Sequence, residues 1–161
     1  MKKTLKIIGI ILLILIILYF TYKYVLRDYF FYSTQLDIHI PIFTKIEEKD
    51  THGGFHGDGE TYTKIYFSKE KAEKFINEIN KNDHWTNLQM PEKLQKRISN
   101  TIDKEMKIPY IEQGYWFFVD RHDKATDKYN YNEMFGRSSL NFSIAVFDTN
   151  SNILYIYALD T

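Results

Sequence analysis

The densest group of chemically reactive side chains in this sequence lies in residues 50–60, DTHGGFHGDGE. Imidazoles and carboxylates are the groups that bind divalent metal ions and transfer protons. The His-x3-His spacing would place both imidazoles on one face of a helix, but the interspersed glycines disfavour a helix and favour a hairpin turn. A partner-binding loop and a metal or catalytic site are the alternatives to that turn. In those alternatives the residues that would act are His52, Gly53, Gly54, His56, Asp58 and Glu60.

A second polar cluster follows directly after the apolar run at residues 114–119. Residues just beyond the end of a strand combine a rigid backbone with access to solvent. In this cluster a histidine could act as a general base, or as a metal ligand oriented by a neighbouring aspartate. The alternative is a surface ion pair between the first aspartate and the arginine that follows it. The cluster consists of Asp120, Arg121, His122 and Asp123.

The two clusters form one site only if they meet at one end of a β-sheet. About sixty residues of chain separate them, so such a meeting would not follow from local packing. A shared site would bind a divalent metal ion and could catalyse hydrolysis. Apart from this metal, the sequence indicates no cofactor. The candidate ligands are His52, His56, Asp58 and His122.

Composition and motifs exclude several other chemistries. The chain has no cysteine, which excludes disulfides, thiolate metal sites and cysteine nucleophiles. Its 21 basic and 21 acidic residues balance, so nothing indicates a nucleic-acid partner. The glycine-rich segment lacks the phosphate-loop pattern, residues 127–133 lack the EF-hand spacing, and no G-x-S-x-G serine motif is present. His39 and His84 stand alone and are interpreted as structural.

The N-terminal segment is predicted to span a membrane. Residues 7–22 carry no charge, but at ~1.5 Å per residue they extend only about 24 Å, less than a hydrocarbon core of ~30 Å. Over residues 5–26 a helix reaches about 33 Å at the same rise, provided that Lys6 and Lys23 extend their charges to the interface. Bulky residues follow the run where a signal peptidase needs small ones. We therefore predict an uncleaved signal anchor; the alternatives are a removed signal peptide and a buried core helix.

The distribution of charge predicts the orientation of this anchor. Five of the 21 basic residues and none of the acidic residues lie in the first 27 positions, and three of the five precede the apolar run. The positive-inside rule then places the N-terminus in the cytoplasm and residues 28–161 outside. Tyrosine and phenylalanine residues cluster at the outer end of the run, where their rings suit the lipid headgroup layer.

Beyond the tip and anchor at residues 1–27, the sequence divides into a membrane-proximal junction at 28–34 and a domain at 35–161. Alternating or continuous apolar patterns, separated by turn residues, predict six strands in that domain. The predicted strands lie at 36–42, 43–51, 61–67, 114–119, 140–147 and 153–159.

Two helices are predicted between the third and fourth strands. Ser68 is a favourable N-cap for the first, and Pro91 is a favoured first-turn residue for the second. The order β-β-β-α-α-β-β-β predicts an α+β domain, in which an antiparallel sheet carries both helices on one face. The apolar face of the second helix would be formed by Leu94, Ile98, Ile102 and Met106.

Three segments follow the anchor: DTHGGFHGDGE, GYWFFVDRH and NFSIAVFDTNSNILYIYALDT. With these segments the chain resembles uncharacterised small single-pass membrane-anchored proteins of low-GC Gram-positive bacteria, over most of residues 35–161. The resemblance implies a cell-envelope setting and assigns no catalytic residue.

The sequence favours a non-enzymatic module that is anchored in the lipid bilayer through residues 5–26 and binds an envelope protein or peptide. It contains no complete catalytic motif, and aromatic residues, 17% of the chain, are typical of recognition surfaces. The alternatives are the divalent-metal, hydrolytic domain described above and an immunity-type protein that protects a membrane from a toxin.

Overall fold

The structure is a computed structural model that describes residues 2–53, 57–99 and 107–161. The chain forms two compact units, Met1–Ile42 and Phe43–Thr161. Several residues singled out in the sequence lie outside the described residues, namely Gly54, His56, Ile102 and Met106.

The first unit is built on one long apolar helix. α1 (Lys2–Thr21) continues through a π-helical turn at Tyr22–Leu26 into α2 (Arg27–Gln35). The segment Lys6–Gln35 contains 30 residues, which corresponds to about 45 Å at ~1.5 Å per residue. The helix is therefore long and apolar enough to cross a membrane, in agreement with the predicted span, and a signal sequence would pass the same test.

The helix continues through the predicted junction at residues 28–34. The amide of Arg27 donates to the carbonyl of Tyr22, five residues earlier, which is the hydrogen bond of a π-helix. No proline or glycine interrupts residues 22–35, so the chain can keep the helical conformation beyond the apolar run.

Residues 36–42 do not form the predicted strand. The backbone of Asp37 has a φ of 51°, a left-handed conformation that interrupts an extended chain. Ser33 binds two of the amides that a strand would use: its carbonyl accepts from Ile38 at 3.1 Å, and its Oγ accepts from Ile40 at 2.9 Å. The alternating apolar residues therefore belong to a turn that ends α2, because local hydrogen bonding competes with strand pairing.

The described residues of the second unit form six strands in one sheet, in the order β1-β2-β6-β5-β4-β3, with every pair antiparallel. The predicted α+β class is confirmed. Five strands coincide with predicted ones, and the two-residue β3 was not predicted. The strands are β1 (Lys45–Asp50), β2 (Gly59–Tyr66), β3 (Thr86–Asn87), β4 (Gly114–Asp120), β5 (Asn141–Asp148) and β6 (Ile153–Asp160).

Two helices of the second unit begin where they were predicted. α3 (Lys69–Ile79) follows Ser68, whose Oγ accepts a hydrogen bond from the amide of Lys71 at 3.4 Å. α4 (Glu92–Ser99) follows Pro91. A short 3-10 turn, Tyr131–Met134, lies between β4 and β5.

These two helices lie on opposite faces of the sheet, not on one face as predicted. Phe75 of α3 packs against Phe147 of β5, with ring centroids 5.1 Å apart. Leu94 of α4 instead belongs to the buried cluster that contains Phe142 and Ile144 of β5. Alternate residues of a strand point to opposite faces, so each helix covers its own layer of core. The face that bears Phe142 and Ile144 is named the α4 face below.

Candidate functional site

The two polar clusters predicted from the sequence meet at one end of the sheet. β1, β4 and β6 all end there, with Asp50, Asp120 and Asp160 as their last residues. The register pairs Asp160 with Gly59 on one side and with Asn141 on the other. Antiparallel pairing thus brings together segments that are far apart in the sequence, which is the geometric condition for a shared site.

His52 lies between two carboxylates at this end of the sheet. Its Nδ1 is 2.5 Å from Asp50 Oδ1, and its Nε2 is 3.1 Å from Asp160 Oδ2. Its backbone amide also donates to Asp50, at 2.9 Å. Gly59 makes this position possible, because a Cβ at Gly59 would lie 2.5 Å from the Cα of His52.

Arg121 reaches the same Asp160 from the second polar cluster. Its Nη2 is 2.9 Å from Asp160 Oδ1, and its Nε donates to Ser143 Oγ at 3.1 Å. Asp160 therefore joins the two clusters, although sequence reasoning missed it, because its position beside them depends on strand register. The four residues Asp50, His52, Arg121 and Asp160 are named the sheet-end network.

The sheet-end network favours a charged imidazole. Partial burial lowers the pKa of His52, but hydrogen bonds to Asp50 and Asp160 outweigh burial and hold that pKa above its ordinary value. Hydrogen bonds from the backbone and ring of His52 in turn lower the pKa of Asp50. Both ring nitrogens of His52 therefore contact carboxylates of the sheet-end network.

This linkage predicts a pH-dependent contribution to stability. A histidine whose pKa is raised in the folded state stabilises that state. This stabilisation is fully present below the ordinary histidine pKa of ~6.5, and it is lost as pH rises through the pKa of the folded state. We expect the difference in unfolding free energy between the wild type and His52→Gln to shrink between pH 6 and pH 8.5. Urea unfolding of the full chain in detergent micelles, followed by tryptophan fluorescence, measures it. A difference that stays constant over this range would contradict the assignment.

Three further candidates among the described residues of the glycine-rich segment are Gly53, Asp58 and Glu60. Asp58 is exposed, and a Cβ at Gly53 would make only an ordinary contact with the carbonyl oxygen of Thr51. Glu60 belongs to β2, where its Oε1 accepts a hydrogen bond from the hydroxyl of Tyr157 at 2.9 Å. These side chains therefore contribute no further ligand to the sheet-end network.

Among the described residues, no group of three or more His, Cys, Asp or Glu side chains is placed to hold a metal ion. Gly54 and His56 lie outside those residues. The metal set of His52, His56, Asp58 and His122 accordingly stays a prediction.

Asp120 is buried and paired, but not with its neighbour Arg121. Its side chain is 1% exposed and accepts a hydrogen bond from Arg137, whose side chain is 15% exposed. The amide of His122 donates to its other oxygen at 3.0 Å. The surface pair of Asp120 with Arg121 is thus wrong, because consecutive residues of an extended chain point to opposite faces. Sequence reasoning missed Arg137; the only available signal was that a buried carboxylate requires some cation.

His122 forms a contact that resembles a catalytic triad. Its Nε2 is 2.9 Å from Ser139 Oγ, and its Nδ1 is 2.7 Å from Asp123 Oδ1. The amide of Lys124, however, donates to Nδ1 at 3.1 Å. Nδ1 of His122 thus lies within hydrogen-bond distance of an acceptor, the Asp123 carboxylate, and of a donor, the amide of Lys124. The contact between Nε2 and Ser139 Oγ fits either ring tautomer.

The polar stretch between β4 and β5 is organised by its own side chains. The carboxylate of Glu133 accepts hydrogen bonds from the amide and hydroxyl of Thr126, at 2.9 and 2.7 Å, and these bonds lower the pKa of Glu133. The oxygens of Glu133 are thus occupied by donors of the same loop. His84 stacks on Tyr129 with ring centroids 3.4 Å apart, which gives that histidine a structural contact.

A cavity of about 450 Å³ opens on the α4 face, and sequence reasoning did not predict it. Tyr110 is beside it and is 91% exposed. Lys96 and Lys107 also contribute to its lining. Most of the lining is apolar and includes Leu88, Met90, Ile98, Ile108, Ile111 and Val146.

Side-chain hydrogen bonds hold two walls of this cavity. The hydroxyl of Tyr62 donates to the carbonyl of Lys107 at 3.0 Å. The side-chain amide of Gln95 donates to the carbonyl of Met90 at 2.6 Å. The first bond ties the segment that begins at Lys107 to the sheet, and the second ties α4 to the segment before it.

No family model, no curated protein and no solved structure matches this chain.

Proposed function

We propose that the chain is a single-pass membrane protein of the cell envelope, with its N-terminus in the cytoplasm and its second unit outside. The helix Lys6–Gln35 supports a span by its length and apolar composition. The basic residues before the apolar run support the orientation. Lys23 lies 5.4 Å from the ring centroid of Tyr24, and a cation beside an aromatic ring suits the membrane interface.

Single cysteine substitutions report this topology directly, because the chain has no cysteine of its own. In intact cells, we expect a membrane-impermeant maleimide to label Asn77→Cys, an exposed position of α3. Thr4→Cys should be labelled only after lysis. Labelling of Thr4→Cys in intact cells would overturn the orientation. A mature chain that begins beyond Tyr19, measured by mass spectrometry, would overturn the uncleaved anchor.

We further propose that the second unit acts by binding a protein partner at the cavity on the α4 face. The observation that carries this proposal is a largely apolar lining among the described residues of the cavity, with the exposed Tyr110 beside it. Its volume lies within the range of ~300–1,000 Å³ that is typical of ligand sites. Exposed aromatic residues next to apolar pockets are the usual anchors of protein interfaces.

The described residues of the sheet-end network contact one another. His52 lies between Asp50 and Asp160, and Arg121 contacts Asp160 and Ser143. The network therefore connects the strand ends, and the α4 face carries the binding proposal.

A photoreactive aromatic amino acid in place of Tyr110 tests this binding surface in intact membranes. We expect discrete crosslinked products for this variant and none for the same amino acid at Asn77, on the opposite side of the sheet. The products should disappear when Ile98→Lys is added, because a lysine charge in an apolar cavity loses its hydration. Ile76→Lys, at a half-buried position of α3, is the matched control. The absence of crosslinks, or equal crosslinking with both lysine variants, would contradict the proposal.

A further inference from the structure

Two consecutive apolar residues are exposed in the turn that precedes β1. Ile42 is 41% exposed and Phe43 is 72% exposed. We infer that these two residues, named the apolar tip below, form a second and shallow contact with the lipid bilayer. This inference rests on the proposed membrane span, and it adds a lipid-binding site outside the spanning helix.

The backbone of Phe43 is unusual for a residue of its size. Its φ is 60°, a left-handed conformation that bulky side chains rarely adopt, because the Cβ comes close to the carbonyl oxygen. Asp37 and Asn152 also have a positive φ, but aspartate and asparagine adopt it readily. Strained conformations persist where the surrounding structure imposes them, and they are common at functional sites. The strain therefore marks Phe43 as a candidate contact residue.

The residues that flank the apolar tip are buried. Ile40 and Thr44 are both inaccessible to solvent, and the amide of Ile40 is held by Ser33 Oγ. The two ends of the turn are thus fixed, while the side chains between them extend into the surroundings. An exposed phenylalanine ring gains nothing from the protein core, whereas contact with lipid would remove it from water.

The path of the chain keeps the apolar tip close to the membrane helix. Ser33 belongs to α2, and Ile40 is hydrogen-bonded to it. Phe43 follows Ile40 by three residues, which extend at most about 11 Å at ~3.3–3.6 Å per residue. The helix Lys6–Gln35, about 45 Å long, is as long as the hydrocarbon and headgroup layers together are thick, ~40–45 Å. Ser33 therefore lies at the level of the outer headgroups, and the apolar tip can reach them.

The exposed surface of α2 is aromatic between the predicted span and the apolar tip. Phe30 and Phe31 are more than half exposed, although they lie beyond residues 5–26. The neighbouring charges, Arg27 and Asp28, pair with each other at 2.9 Å, so they add no net charge. Aromatic residues are typical of the headgroup layer. This continuity with the span favours lipid over a protein partner at the apolar tip.

The residues after the apolar tip limit how deeply it can enter. Lys45 Nζ lies 2.6 Å from Glu47 Oε1, and both side chains are largely exposed. Transfer of such charged groups into hydrocarbon is costly, so only Ile42 and Phe43 would leave water. We expect a depth of about 5–10 Å, at the boundary between headgroups and acyl chains.

Spin labels on single cysteines of the full chain measure this depth. The protein is placed in phosphatidylcholine nanodiscs, both faces of which are open to a water-soluble nickel chelate. Power-saturation EPR compares collisions of the label with this chelate and with oxygen, which concentrates in the bilayer. We expect the label at Phe43→Cys to lie about 5–10 Å deep. The label at Asn77→Cys, an exposed position of α3, should lie in water.

A second set of variants tests the native phenylalanine. The label at Ile42→Cys should be immersed while Phe43 is present and should move into water with Phe43→Asp, because a carboxylate is costly to remove from water. Aspartate tolerates the left-handed conformation, so the turn should persist. Tyr110→Asp, at another exposed aromatic residue, is the matched control and should leave the depth unchanged. Equal effects of the two aspartate variants would overturn the inference.

A label at Leu13→Cys, within the apolar run, separates this inference from the proposed span. Deep immersion of that label, with Phe43→Cys in water, would overturn the apolar tip and leave the span in place. A label at Leu13→Cys in water would remove the span and this inference together. A label at Phe43→Cys that is shielded from oxygen and chelate alike would assign the tip to a protein contact, and so overturn the lipid assignment.

Discussion

Arg137→Met is expected to lower the free energy of unfolding by about 3–5 kcal/mol, because it leaves a buried carboxylate without its cation. Asp120 is almost fully buried, and Arg137 is its charged partner. The guanidinium also donates to the carbonyl of Glu133 at 2.8 Å, so the substitution removes a second contact. Methionine keeps the apolar stem of arginine, which confines the change to charge and hydrogen bonding.

Urea unfolding of the full chain in detergent micelles, followed by the fluorescence of Trp85 and Trp116, measures this loss. The matched control is Lys74→Met, which breaks a largely exposed pair with Glu70 and should leave the free energy of unfolding nearly unchanged. Adding Asp120→Asn to Arg137→Met should recover part of the loss, since it removes the unpaired charge. A loss below about 1 kcal/mol in Arg137→Met would contradict the importance of this buried pair.

Gly114→Ala is expected to destabilise the second unit by about 3 kcal/mol, the upper end of the usual cost of overpacking. A Cβ at Gly114 would overlap the carbonyl oxygen of Phe147. The obstructing atom belongs to the backbone of β5 and cannot rotate away. Gly114 also begins β4, and its carbonyl accepts a hydrogen bond from the amide of Leu88 at 2.9 Å, so a shift there disturbs both neighbouring chains.

The same unfolding measurement on Gly53→Ala provides the control. The nearest atom to a Cβ at Gly53 is the carbonyl oxygen of Thr51, at 3.9 Å, which is ordinary contact. We expect a change within about 0.5 kcal/mol there. If the two alanine variants were equally stable, the close approach of β4 and β5 at Gly114 would be incorrect.

The elements that the sequence predicted correctly are determined by interactions between residues close together in the chain. Ser68 caps α3 through its own hydroxyl. In the turn between β5 and β6, Asp148 accepts a hydrogen bond from the amide of Asn150 at 2.9 Å, and Asn152 takes a φ of 56°. Aspartate and asparagine favour these conformations wherever they occur in a turn, so the neighbouring residues suffice to predict them.

Residues 36–42 show where local reasoning fails. Their alternation of apolar and polar side chains is typical of a half-buried strand. The backbone instead turns at Asp37 and bonds to Ser33. Alternation indicates which side chains avoid water. A strand forms only if another strand pairs with it, and the alternation does not specify such a partner.

The candidate site, like the fold, could be predicted from the sequence only in part. Both polar clusters are recognisable from their residue types, and a shared site requires them to meet at one end of the sheet, as they do. The ion-pair partners were not recognisable: Arg121 binds Asp160, and Asp120 binds Arg137. Those partners are 39 and 17 residues away in the chain, and strand register and loop path decide which of many charges they meet.

By itself, the sequence determined the long apolar helix, the α+β class, most strands and helices of the second unit, and the two clusters of polar side chains. These features depend on periodicity, capping and turn chemistry among adjacent residues. Only the tertiary structure decided which face each helix covers, which charges are paired, and that a cavity opens beside Tyr110. The physical reason is that these features arise from contacts between segments far apart in the chain, whose register and side-chain volumes become defined only when the sheet has formed.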